Sequence, residues 1–179
     1  KYLDIAKFPD TFAFFSLAIA EIIKNNNLSW MPDIIHCNDL HTSLVPLLLK
    51  EKKVQIRTLL TIHNLSHQGR TSIDVLNKLE IEASKCAVLH WEIKSKRVNF
   101  LMEGIIHADA ITTVSPTYAR EILTEEYGCG LEDVLLGKEG RIFGILNGID
   151  NNWHHMMANR MVKYPYLLTK ENIAKNNGL

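Results

Sequence analysis

Apolar positions along the chain change period several times, and each change marks an expected element. Over residues 10–24, Phe12, Phe15, Ile19 and Ile22 recur every three or four positions, which predicts an amphipathic helix broken by Asn25-Asn26-Asn27. Residues 33–36 read as a short strand, 42–52 as a helix with an early Pro46, and 57–62 as a second strand. The stretch 69–96 is the least regular, with at most short helices around 73–79. A helix follows over 98–107. Residues 110–114 are apolar and rich in β-branched side chains, as a buried strand should be. Ser115 then offers an N-cap, Pro116 suits the first helical position, and 118–123 continue the helix. Residues 142–146 form the next strand, ended by Asn147-Gly148. Beyond Asp150 the period fades into a surface connection over 151–166 and a short polar helix over 170–177.

Strands alternating with helices at these separations imply an α/β fold, a parallel sheet with helices on both faces. In such a sheet ligands bind just past the carboxyl ends of the strands. Asp39, His63 and Asn147 each sit at or shortly after such an end.

Composition removes several function classes. A chain of 179 residues is normally one domain and buries roughly 70% of its extended surface. The 20 basic and 20 acidic residues balance, so no basic field favours nucleic acid or an anionic membrane. No apolar run approaches the ~18 residues that a membrane span needs. Cys37, Cys86 and Cys129 are widely spaced and form no Cys-x-x-Cys pair, which argues against a disulfide framework and for a reducing compartment. Gly-x-Ser-x-Gly, Gly-x-Gly-x-x-Gly and the Gly-Lys-Ser/Thr phosphate loop are all absent, so hydrolase and NTPase readings lack support. The first residue is Lys1, so the natural N-terminus is expected upstream, which leaves a signal or transit peptide open.

The residues at the strand ends suit a polar ligand. Asp39 offers a carboxylate that can accept hydrogen bonds or stabilise cationic character, and equally an N-cap for the following helix. His63 directly follows the strand at 57–62, although a lone histidine is more often a satisfied loop residue. Asn147 supplies both a donor and an acceptor, and Asn-Gly is also a strong turn signal. Asn64 and Gln68 flank His63 as supporting residues, and Gly69 permits a tight turn. His36, Asp39, His41, His63 and His67 are of types that also bind zinc or manganese. Because His36 ends a strand and His41 begins a helix, the spacing alone does not make them converge.

Several segments carry a family resemblance. They are Pro32-Asp33-Ile34-Ile35-His36-Cys37-Asn38-Asp39-Leu40-His41, the run from Thr58 to Gly69, and Asn99-Phe100-Leu101-Met102-Glu103-Gly104. Ala108-Asp109, Tyr127-Gly128-Cys129-Gly130-Leu131 and Leu146-Asn147-Gly148-Ile149-Asp150 complete the set. In this order the chain resembles the bacterial and plant starch/glycogen synthase family from about Phe8 to its C-terminus.

The resemblance implies a GT-B architecture, with two Rossmann-like domains facing across a cleft. Residues 1–179 would be an incomplete N-terminal domain, with its core at about 8–150 and 151–179 leading toward a second domain. The Lys-x-Gly-Gly nucleotide loop, the diphosphate-binding Lys/Arg pair and the second-domain glutamates are expected outside this chain, so the isolated piece should be inactive. Only four strands are readable, fewer than such a domain has.

The implied activity is that of a hexosyltransferase passing glucose from ADP-glucose to the non-reducing end of an α-1,4-glucan with retention. It uses no metal and no cofactor, and neither nucleic acid nor membrane is a partner. Asp39 and His63 are the implied catalytic residues, with Asn147, Asn64 and Gln68 as substrate-binding ones. The loop Gly128-Cys129-Gly130 would lie near the acceptor. Localisation would be cytoplasmic in a bacterium, or the plastid in a plant or alga. Three departures stand out: Leu40 where the family has tryptophan, His67 where it has tyrosine, and one residue fewer before Trp153. They leave a second reading, a catalytically inactive glucan-binding or regulatory homologue.

Overall fold

The computed structural model describes residues 9–79, 81 and 96–148. The chain divides into two units, Lys1–Leu146 and Asn147–Leu179. The elements below all belong to the first. The connection and helix expected over 151–166 and 170–177, together with Trp153 and Cys86, lie outside the described residues.

Helix α1 spans Pro9–Lys24, and strand β1, Ile34–Asn38, runs straight into α2, Asp39–Thr42. Helix α3 is Val45–Glu51. A single helix was expected over 42–52; the chain bends at Ser43-Leu44 instead. Pro46, second in α3, has no N–H to offer and its ring would clash with the carbonyl a turn earlier. The Ser43 hydroxyl donates to the Leu40 carbonyl across the bend (2.9 Å).

Strand β2 is Arg57–Ile62, and β3, Arg70–Ser72, pairs antiparallel with β4, Arg97–Asn99. Helix α4, Asp74–Lys78, falls where short helices were expected. The helix foreseen over 98–107 starts two residues late as α5, Phe100–His107, because Asn99 caps it by accepting the Met102 N–H (3.1 Å). Strand β5 (Ala110–Thr113), helix α6 (Pro116–Glu121), helix α7 (Glu132–Leu136) and strand β6 (Ile142–Gly144) follow. Ser115 caps α6 as expected, its Oγ accepting the Tyr118 N–H (2.9 Å).

The main sheet has the order β1-β2-β5-β6, with every neighbouring pair parallel. The four strands read from periodicity are these four. Pairing places Cys37, Leu60, Ile62, Ile111 and Thr113 on one face, where they are buried. Leu44, Leu47, Leu48, Phe100, Leu101 and Ile105 from the helices fill the same core. Asp109 ties β2 to the start of β5: its Oδ2 accepts the Thr58 N–H (2.8 Å) and hydroxyl (3.1 Å). Burial alone would raise this carboxyl's pKa, but the Thr58 bonds and nearby Arg57 outweigh it and hold the group below its ordinary value.

The other face carries Ile34, His36, Leu59, Thr61, Thr112 and Phe143 in register. A polar row crosses it, His36 Nε2 to Thr61 Oγ1 (2.6 Å) and Thr61 Oγ1 to Thr112 Oγ1 (2.6 Å). Ile34 and Phe143 beside this row stand exposed. No helix among the described residues is long and apolar enough to cross a membrane.

Candidate active site at the strand ends

Because β1 and β2 run parallel with Asn38 opposite Thr61, the residues that leave the two strands emerge side by side. Asp39 is one step beyond β1 and His63 one step beyond β2. The Asp39 backbone has φ 51°, the left-handed region that Asp and Asn enter more readily than most residues. This turn brings the carboxylate back over the end of β2. Oδ1 accepts the His63 N–H (2.8 Å), and Oδ2 lies 2.9 Å from the imidazole Nδ1. The alternative role for Asp39, capping the next helix, is not taken: the residue before that helix is Asn38, with no side-chain cap.

The pairing also sets the chemistry of the ring. A carboxylate only accepts, so Nδ1 carries a hydrogen toward Asp39, and the neutral form of a ring held this way keeps its lone pair at Nε2. The His63 side chain is 48% exposed, so the ring is open to a ligand.

The loop after His63 is fixed at each further step. Asn64 Oδ1 accepts both the backbone N–H (3.0 Å) and the hydroxyl (2.6 Å) of Ser66, closing a small turn. The buried Leu65 donates its N–H to the Tyr118 hydroxyl (3.1 Å). Gln68 is buried, and its amide is engaged within the protein. Its Nε2 donates to the Cys129 carbonyl (2.9 Å), while Oε1 accepts from Asn99 Nδ2 (2.7 Å) and Arg70 Nε (3.1 Å). Gly69 follows with φ 68°, the turn its bare backbone allows. Thr113 completes the strand end by donating its hydroxyl to the Ile62 carbonyl (2.8 Å).

The sequence reading put Asp39 and His63 at strand ends, where the structure has them, but did not foresee the hydrogen bonds between them or Tyr118 as a tether. A phenol two positions after Pro116 was the available signal, read there only as part of a helix. Asn147 opens the second unit, three residues after β6 in the chain. The three other histidines weighed as metal ligands make different contacts. His36 bonds Thr61, His41 packs edge-on against Phe12 with ring centroids 4.7 Å apart, and His67 is exposed. Leu40 is buried in the core, so its replacement of the expected tryptophan is a matter of packing. The Cys37 thiol is pushed up to about 11 by burial, whereas Cys129 is exposed.

Comparison with known proteins identifies the family to which this fold belongs. Residues 2–137 match the family model described as the starch synthase catalytic domain. A glycogen synthase of Thermodesulfovibrio yellowstonii is 45% identical over 158 residues, covering 84% of this chain and 30% of that protein. Glycogen synthase 2 of Nitrosococcus oceani is 43% identical over 139 residues, covering 78% and 28% respectively. Among solved structures, the catalytic domain of starch synthase IV from Arabidopsis thaliana, bound to ADP and acarbose, aligns with a TM-score of 0.69 and 31% identity. That alignment covers 87% of this chain and 33% of the other. The chain thus spans about a third of the length of these relatives.

Proposed function

This chain belongs to the starch synthase catalytic-domain family, and from that membership we propose that the complete protein is a retaining glucosyltransferase that lengthens α-1,4-glucan. The donor we propose is ADP-glucose, a choice supported by the ADP and acarbose held in the related starch synthase IV structure. The observation that carries the reading is the two-point grip of Asp39 on His63 at the carboxyl ends of adjacent parallel strands.

Glucosyl transfer needs hydroxyls gripped, oxocarbenium character stabilised and a diphosphate released. His63 Nε2 accepts from a glucose hydroxyl. As the sugar ring gains positive charge that hydroxyl becomes more acidic, so the bond strengthens in the transition state rather than in the ground state. Asp39 holds the imidazole in the required tautomer and adds negative potential beside the developing cation. Asn147, the first residue of the second unit, carries an amide able both to donate to and to accept from a hydroxyl. Asn64 and Gln68 act by shaping and anchoring the loop that carries His63. Hydroxyl recognition of this kind discriminates strongly, because a ligand lacking the hydroxyl leaves buried polar groups unpaired.

The test is incorporation of labelled glucose from ADP-glucose into glycogen by the complete protein. Elongation with anomeric retention is expected. Failure to elongate any glucan from any nucleotide glucose would overturn the reading.

A further inference from the structure

Four residues from other parts of the chain, Asp39, Asn99, Tyr118 and Cys129, hold the loop that starts at His63. Asp39 holds its first residue, and Gln68 anchors its far end to Asn99 and Cys129. Between them the Leu65 N–H donates to the hydroxyl of Tyr118 (3.1 Å). Leu65 is fully buried, so an unpaired N–H there would have no water to turn to. Removing the hydroxyl therefore forces the loop to move, and His63 stands two residues away.

Tyr118 is a rigid post. Its own N–H is capped by Ser115 Oγ, and Pro116 sets the backbone at the start of α6. On its other side α6 meets Gly144 of β6, whose backbone comes so close that a Cβ would collide with the Ser115 carbonyl and with Pro116. Beyond Gly144, the Ile145 N–H bonds the Thr113 carbonyl (2.8 Å), locking this strand to β5. The backbone that carries Tyr118 is thus fixed relative to the sheet, and its ring packs against the core.

We propose that Tyr118 is a positioning residue for glucosyl transfer: by accepting the Leu65 N–H, its hydroxyl fixes where the His63 imidazole stands above the ends of β1 and β2. This inference rests on the function proposed above. The tyrosine touches neither donor nor acceptor and acts only through the loop.

The experiment is Tyr118→Phe in the complete protein, which keeps the ring and removes one hydroxyl. Two readouts are taken together, steady-state kinetics and hydrogen exchange of peptides covering residues 63–69. A displacement of the order of an ångström should lower kcat roughly ten- to a hundredfold. KM for ADP-glucose should stay near the wild-type value, and exchange should quicken in this loop while other regions keep their rates. Unchanged exchange would overturn the tether, and quickened exchange with unchanged kcat would overturn the positioning role. A fall confined to thermal stability would also overturn that role. If the wild type elongates no glucan, the functional reading fails, and with it the catalytic meaning of the post. The exchange arm then still decides whether Tyr118 holds the loop.

Discussion

One carboxylate, that of Asp39, holds both the main chain and the ring of His63, at 2.8 and 2.9 Å. Two residues expected to bind a ligand separately are therefore one unit. Losing either member disables both, and the energetics of substitution follow from that.

Asp39→Ala and His63→Ala should each raise the barrier to glucan elongation by ~2–4 kcal/mol, roughly 30- to 1,000-fold in kcat. The double variant should be little worse than the poorer single one, because each change already dismantles the pair. A double-mutant cycle on the complete protein checks this. Strict additivity would mean that the two side chains act independently.

Asp39→Asn tests the tautomer. The grip uses both carboxylate oxygens, and an amide replaces one of them with an NH2 donor, so one bond is lost or the ring hydrogen moves to Nε2. The expected result is a kcat loss approaching that of Asp39→Ala, with nitrogen NMR of the imidazole reporting the exchanged tautomer. A wild-type rate with an unchanged ring spectrum would refute the assignment of Nδ1–H.

Asp109→Asn should lower stability by about 1 kcal/mol near neutrality, a modest figure because the carboxyl is partly solvated. The folded-state pKa lies below the ordinary value, so this group's stabilisation is present above its unfolded pKa. It disappears as pH falls through the folded pKa. The gap in melting temperature between variant and wild type should accordingly narrow in the acid range and remain constant near neutrality.

His41→Ala separates a packing role from a ligand role. Its edge-on contact with Phe12 joins α2 to α1, so the loss should be roughly 0.5–1.5 kcal/mol of stability with kcat nearly unchanged. A collapse of activity, or inhibition of the wild type by a chelator, would point to a metal after all.

Expressed alone, the 179-residue chain should self-associate. Ile34 and Phe143 are exposed on the open sheet face, and Phe14 and Phe15 on α1, which together offer more apolar surface than a monomer usually leaves bare. Size-exclusion chromatography decides it. A sharply melting monomer would contradict the expectation.

How far the sequence could lead depended on the range of the interactions involved. The four parallel strands were legible because apolar, β-branched runs report burial locally, and Asp39 and His63 were legible because they follow such runs. The β3–β4 pair was not. Arg70–Ser72 and Arg97–Asn99 are three-residue, mostly polar segments whose pairing arises only when distant parts of the chain meet. Asn99 was a readable cap, yet the apolar Val98 drew the expected helix start too early. The contacts of Gln68 and Tyr118 were hidden for a different reason. Their roles lie in hydrogen bonds to main-chain groups of other segments, which neither composition nor spacing encodes.

The left-handed backbone of Asp39 narrows the choice of amino acid at this position to a single member of the standard set. A φ of 51° is comfortable for glycine and tolerated by asparagine and aspartate, while longer and branched side chains resist it. The partners across the turn demand something else, two anionic oxygens able to accept from an amide and from an imidazole at once, which only aspartate and glutamate possess. The two requirements share one residue. A protein engineer therefore has no conservative exchange at position 39, since every alternative breaks either the turn or the grip.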